Sequence, residues 1–145
     1  MVQALEFLAT FCAALFAGAA LYINVVEHPS RMELDTRIAA AQWAPSYKRA
    51  TWLQAPLALV SCLSGVAAWL LGAGAGWVLG AVLIGSVVPF TFIGVMPTNR
   101  KLLAPGRDPG SAETRILLDR WAGLHAVRTA LSITATVVYI WLARR

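Results

Sequence analysis

Two histidines, a glutamate, an arginine and an asparagine are spaced so that helices would present them from common faces. Glu27 and His28 come three and four residues after Asn24, and Arg128 comes three residues after His125. Residues at these spacings lie close together on one side of a helix. An imidazole that titrates near neutral pH, beside a fixed cation, is suited to removing a proton from a substrate and stabilising the resulting anion.

More polar and aromatic residues occur near the same ends of the apolar stretches. Asn99 follows Pro97, and Thr129 and Ser132 continue the helical spacing of His125. Each ionisable group inside a bilayer costs roughly 2.5–3.5 kcal/mol at mid-depth, so their convergence favours a functional site. The candidate catalytic residues are His125, Arg128, Asn99 and His28, and the candidate substrate-binding residues are Asn24, Glu27, Tyr47, Trp52, Gln54 and Trp121.

Two chemistries fit this set. In a metal-free site, His125 or His28 is the general base, while Arg128 and the amides of Asn24 and Asn99 stabilise the anion. In a metal site, His28, His125 and Glu27 hold non-haem iron or another transition metal. Glu27 and His28 are adjacent and about 100° apart on a helix, so joint ligation requires the helix to end at Pro29. We therefore favour the metal-free site and predict no cofactor.

Simpler structural roles are open to the same residues. Arg128 alone would extend toward the membrane surface or pair with Glu27 to hold two helices in register. A lone His125 would more often make a hydrogen bond between helices. Trp43, Trp121 and Tyr47 are typical anchors at the membrane interface. Structural need alone does not explain why so many polar groups meet at one depth.

The composition predicts that these residues are held by membrane-spanning helices. Of 145 residues, 59% are hydrophobic and 13% are charged, compared with roughly 25% charged residues in a soluble domain. A chain this small cannot bury so much apolar surface within itself. Four apolar stretches have about the length needed to cross a bilayer. They predict a single all-α domain, 1–145, that forms a transmembrane four-helix bundle with spans at 5–26, 51–71, 77–96 and 121–142.

The linkers predict the topology. Residues 72–76 alternate Gly and Ala and allow only a tight turn, whereas 27–50 and 97–120 are polar loops that four spans place on one side. Within the first loop, 33–42 is predicted to form a short interfacial helix that ends at Trp43-Ala44-Pro45. Ser111 is a predicted N-cap of the last helix, with Glu113 in its first turn. Cys12 and Cys62 are expected to pack as inert apolar residues.

The charge distribution predicts the orientation. Nine of the twelve Lys and Arg residues lie in the two polar loops, whereas Arg144 and Arg145 lie at the opposite end. The positive-inside rule then places both loops in the cytoplasm and both termini outside. The net charge of +5 shows no nucleic-acid footprint, since most of the basic residues lie in the two loops and not on the face of a soluble helix or strand. We expect an integral protein of a bacterial inner membrane.

Two short motifs resemble a known family. Met96-Pro97-Thr98-Asn99 and Trp121-x-x-Leu124-His125-x-x-Arg128-Thr129, on four spans, are similar to the anthrone-oxygenase-like proteins, a former domain of unknown function. The resemblance implies a membrane oxygenase that converts aromatic polyketide anthrones to anthraquinones with molecular oxygen, without a conventional flavin or haem. It covers Asn99, His125 and Arg128 directly, and it does not identify this chain's substrate.

Three functional hypotheses follow. The first is a membrane-embedded monooxygenase acting on a lipophilic, aromatic compound, either cofactor-independent or with a non-haem metal. The second is a non-catalytic binding or transport protein for a lipophilic ligand. The third is a redox protein in which His28 and His125 ligate haem or a metal. The expected partners are the bilayer, a lipophilic molecule and molecular oxygen, and homo-oligomerisation remains open.

Overall fold

Four long helices make up the fold in the computed structural model, which describes residues 1–144. All four are long and apolar enough to cross a membrane, and no strand occurs in this described part of the chain. The all-helical prediction is therefore confirmed, and each predicted apolar stretch lies within one helix. Arg145, counted in the charge asymmetry, lies outside the described residues. The helices are α1 (Val2–Met32), α2 (Thr36–Ala73), α3 (Gly76–Leu102) and α4 (Ala112–Ala143).

Side-chain caps and glycines set the helix ends. Asp35 caps α2 by accepting a hydrogen bond of 2.9 Å from the Arg37 N–H. The predicted N-cap Ser111 accepts one of 3.2 Å from the Thr114 N–H, and this confirms the predicted start of α4. At the opposite end, Gly72 adopts a φ of 93°, which favours glycine, and the chain reverses into α3. The predicted α2–α3 hairpin is confirmed.

The polar loops are shorter than the sequence predicted. Within the two predicted polar loops, only residues 33–35 and 103–111 are non-helical. The predicted helix end at Trp43-Ala44-Pro45 is wrong, because α2 runs from Thr36 without a break through both Pro45 and Pro56. Ala39 and Trp43 are buried in the bundle, so packing outweighs the backbone hydrogen bond that Pro45 removes. The segment 33–42 is thus the start of a long helix and not a separate interfacial one.

The helices form a ring in which α1 and α3 each pack against α2 and α4. At the end that holds the chain termini, Trp77 stacks on Tyr139 with ring centroids 5.1 Å apart. Gly80 lets this ring approach, since a Cβ there would overlap Tyr139. Further along, Phe16 and Ile84 continue an apolar core. Packed apolar side chains fill the interior of this end of the bundle.

Both loops lie together at the other end. Arg37 of α2 pairs with Asp108 of the second loop at 3.0 Å, and Arg115 of α4 donates to the Leu34 carbonyl at 3.0 Å. Arg115 also donates to the Met32 carbonyl. The expectation that the two loops share one end of the bundle is confirmed.

Candidate active site

His125 is held in one tautomer by a side chain of α1. Asn24 donates its Nδ2 hydrogen to the Ala122 carbonyl at 3.1 Å, so its Oδ1 must face the other way. That oxygen accepts from Thr129 Oγ1 at 2.6 Å and lies 2.7 Å from His125 Nδ1. Because Oδ1 can only accept, His125 Nδ1 carries the hydrogen. The Nε2 lone pair of the neutral ring is left free to take a proton.

The backbone of α1 widens where Asn24 reaches toward α4. Residues Ile23–Glu27 form a π-helical turn between the α-helices Val2–Tyr22 and His28–Met32. Such turns are rare and occur often at functional sites. The turn contains Asn24 and Glu27, whose side chains bond to different partners.

Arg128 lacks an acidic partner in residues 1–144. Its Nη2 donates to Gln54 Oε1 at 2.9 Å, and its guanidinium lies over the Phe16 ring at 5.5 Å from the centroid. No carboxylate of the described residues lies within ion-pairing distance of this guanidinium. The pairing with Glu27 considered from the sequence is therefore wrong. A guanidinium without an acidic partner inside an apolar bundle has an unbalanced positive charge.

Glu27 pairs instead with Arg31, one turn further along α1. Arg31 is 3% exposed and also donates to Gln42 Oε1 and, at 3.0 Å, to His28 Nδ1. Ser46 Oγ donates to the Glu27 carboxylate. Since Arg31 donates to Nδ1, neutral His28 carries its hydrogen on Nε2. His28 is thus set up as a hydrogen-bond donor, whereas His125 is set up as an acceptor.

The sequence analysis missed Arg31 as part of this network. Arg31 was counted only as a loop charge, because the first span was predicted to end at residue 26. A signal was present, since Glu27 and Arg31 stand four residues apart in the order that supports a helical ion pair.

An aromatic cluster connects the two histidines. The Trp121 ring lies 5.3 Å from the His28 ring and 4.9 Å from the His125 ring, centroid to centroid. Trp43 meets Trp121 edge-on at 5.9 Å and stacks on Tyr47 at 5.2 Å. Trp43 and Trp121 are buried, so their predicted alternative role as interfacial anchors does not describe their packing.

Buried polar atoms without a hydrogen-bond partner concentrate in this half of the bundle. Such atoms usually have a partner in a folded protein, and a group of unpaired ones indicates a place for water or a ligand. In the described residues they are His28 Nε2, Trp43 Nε1, Gln54 Nε2, both amide atoms of Asn99, Trp121 Nε1 and Arg128 Nε.

A small chamber is lined by four of the residues that carry these atoms, Trp43, Gln54, Trp121 and Arg128. Its lining also includes His125 and Tyr47, and its volume of about 10 Å³ suits about one water molecule. On the α1–α2 side it shares lining residues with a groove of about 650 Å³. That volume is within the usual range for small-molecule sites. The shared residues are Ile23, Ser46, Ala50 and Gln54.

Five sequence candidates do not line the chamber: His28, Asn99, Asn24, Glu27 and Trp52. Glu27 lines the groove instead. Trp52 is 81% exposed on the outer surface of α2 and lines neither the chamber nor the groove, so its role in substrate binding stays a prediction. Asn99 is 1% exposed. It lies on the face of α3 that carries Val95 and Leu102, both packed in the cluster around Trp121.

The alternative metal set does not assemble in the described part of the chain. No group of three His, Cys, Asp or Glu residues there is arranged to hold an ion. Glu27 is bound to Arg31, and His28 Nδ1 accepts from the same guanidinium. Because Arg31 occupies these atoms, the contacts do not fit a metal site formed by Glu27, His28 and His125.

Sequence comparisons point to one family. Residues 43–138 match the family described as "Anthrone oxygenase", a range that contains Asn99, His125 and Arg128. Anthrone oxygenase tpcL of Aspergillus fumigatus is 30% identical over 142 residues, which cover 90% of this chain and 87% of the relative. Anthrone oxygenase gedH of Aspergillus terreus is 32% identical over 130 residues, with coverages of 83% and 87%. No solved structure matches this chain.

Proposed function

Because the chain belongs to the anthrone oxygenase family, we propose that it is a membrane-embedded oxygenase acting on a lipophilic aromatic substrate with molecular oxygen. The single observation that carries the mechanism is that two side chains line the same chamber. They are His125, whose tautomer is fixed by Asn24, and Arg128, which has no acidic partner in residues 1–144. The similar proteins are named anthrone oxygenases, and an anthrone-like compound is the substrate class that we propose here.

Proton removal is the role that we propose for His125. An anthrone carries an acidic CH₂ group between aromatic rings, and its anion is electron-rich. The free Nε2 of His125 is the atom that would take this proton, while Asn24 holds the ring in place through Nδ1. The Arg128 guanidinium would stabilise the negative charge that moves onto the substrate oxygen.

Molecular oxygen then oxidises the substrate anion. The substrate anion gives electrons to O₂ and forms a C–O bond, which yields a peroxide on the former CH₂ carbon. The second C–H proton then leaves as the O–O bond breaks. One CH₂ group and one O₂ become one carbonyl and one water, and the four electrons lost by carbon reduce the two oxygen atoms.

The groove between α1 and α2 is the proposed binding place for the aromatic rings. Tyr22 and Leu53 are each 56% exposed at its edge, so a lipophilic molecule would enter sideways from the bilayer. The reacting carbon would then face the chamber through Gln54 and Ser46, whose side chains would have to move. Both loops would lie in the cytoplasm according to the positive-inside rule.

An assay with a synthetic anthrone tests this proposal. The purified chain in lipid nanodiscs should consume one O₂ for each anthraquinone formed, which is followed by its visible absorbance. We expect His125→Ala to lower kcat by at least about 100-fold. Arg128→Met should lower it by a similar factor.

The control for both variants is Thr134→Ala, because Thr134 is exposed on α4 and bonds only to its own helix. Saturable anthrone binding without product would instead support a binding or transport protein. A Soret band in the oxidised protein would support the haem hypothesis. Either result would contradict the proposed oxygenase.

A further inference from the structure

A second cavity lies between α2 and α3, on the face of the bundle next to the one that carries the groove. Its volume is about 120 Å³, and its lining is largely apolar. Phe16, Ala58 and Val87 form its buried inner wall. Ala55 and Phe92 are exposed at its mouth, so it opens on the outer apolar surface of the bundle. The catalytic steps proposed above assign no role to this space.

The inner end of the cavity reaches the proposed site. Arg128, Tyr47 and Thr51 line both this cavity and the small polar chamber. The guanidinium therefore separates two spaces, one apolar and one that contains His125. A small molecule held in the apolar cavity would lie beside the one cation of the described site that has no acidic partner.

The size of the cavity restricts its occupant. An apolar cavity of about 150 Å³ stays dry and holds a single benzene ring or a xenon atom. A space of about 120 Å³ therefore excludes three fused aromatic rings, although it admits a diatomic gas. Dioxygen is apolar and concentrates in hydrocarbon, which the exposed mouth of the cavity would face.

We propose that the α2–α3 cavity is a dioxygen site, separate from the α1–α2 groove that takes the aromatic substrate. This inference rests on the proposed function. When the substrate anion transfers one electron to O₂, the product is superoxide, and the adjacent Arg128 guanidinium stabilises that charge as it forms. The substrate radical and superoxide then combine to make the C–O bond.

Oxygen-induced nuclear relaxation tests the site without any substrate. The protein is methyl-labelled in deuterated nanodiscs and placed under O₂ pressure, because paramagnetic O₂ speeds the relaxation of nearby methyl groups. Val87 lines the cavity, whereas Ile84 is equally buried in the same core cluster but does not line it. We expect faster relaxation at Val87 than at Ile84. Equal enhancement at the two residues would overturn the inference.

Blocking the opening of the α2–α3 cavity with a larger side chain provides the second test. Ala55→Phe should reduce the Val87 enhancement, raise KM for O₂ several-fold and leave KM for the anthrone unchanged. Ala130→Phe is the matched control, since Ala130 is exposed on α4 away from the lining of this cavity. An Ala55→Phe protein with unchanged KM for O₂ would contradict the proposed route. If no anthrone is oxidised but the Val87 enhancement persists, the proposed function fails and the oxygen site stands.

Discussion

Residue by residue, the two histidines have different chemistry despite similar burial. His125 donates from Nδ1 to Asn24 and keeps a free Nε2 lone pair, whereas His28 accepts at Nδ1 from Arg31. The spacing of the sequence placed both near one site but left the choice of base open. Their tautomers depend on partners that are 101 residues and three residues away. Only the folded chain reveals the first of these partners.

Asn24 is predicted to act through His125, as a positioning residue. Asn24→Leu removes the acceptor for Nδ1–H and lets the ring adopt the wrong tautomer, so kcat should fall by about tenfold or more while KM changes little. Asn24→Asp restores an acceptor and should retain more activity than Asn24→Leu. Steady-state kinetics of the two variants, with Thr134→Ala as control, check this. Equal losses in both variants would indicate a packing role only.

The Arg31 network predicts a stability effect. Arg31→Met leaves the Glu27 carboxylate unpaired inside the bundle, so the free energy of unfolding should fall by about 3 kcal/mol. The double variant Glu27→Leu/Arg31→Met should recover most of this loss, because no unpaired charge remains. Titration with a denaturing detergent measures both. A double variant less stable than Arg31→Met would contradict the account of this pair.

At the scale of the elements, hydropathy predicted the four helices. It did not predict where they begin and end, because the helices continue into polar segments that were assigned to loops. Arg31 was counted with the first loop, although it lies in α1 and is buried. Pro45 suggested a helix end, but the burial of Trp43 keeps α2 continuous. Trp52, an aromatic residue near a span end, was assigned to the pocket, and the structure places it on the exposed outer surface of α2. Local propensity does not show which face of a helix meets its neighbours.

Close packing of α3 on α4 predicts the response to a small substitution. Gly80→Ala places a Cβ against the Tyr139 ring, so the free energy of unfolding should fall by about 1–3 kcal/mol. Gly123→Ala is the matched control, because nothing lies within 4 Å of its Cβ position, and alanine favours helix by up to about 1 kcal/mol. Detergent-induced unfolding compares the two. A Gly80→Ala protein as stable as Gly123→Ala would show that the helices can move apart at little cost.

For the whole molecule, the bundle has a packed apolar end and a polar end that carries the loops. The sequence predicted this division from the positions of its polar residues. The related proteins come from Aspergillus and Cryptosporiopsis, so the expected bacterial inner membrane remains a prediction.

The predicted orientation is measurable in cells. Lys101→Cys at the loop end should resist a membrane-impermeant maleimide added outside intact cells, whereas Gln3→Cys near the N-terminus should react. The background chain should carry Cys12→Ala and Cys62→Ala. Labelling of Lys101→Cys, but not of Gln3→Cys, from outside would reverse the orientation.

Hydrogen–deuterium exchange tests the central claim most directly. Incubated without oxygen in D₂O, the native protein should exchange the CH₂ protons of an anthrone faster than buffer does, because His125 removes and returns a proton without oxidation. His125→Ala should exchange at the buffer rate, while His28→Ala retains exchange. Exchange in His125→Ala at the native rate would show that His125 is not the base.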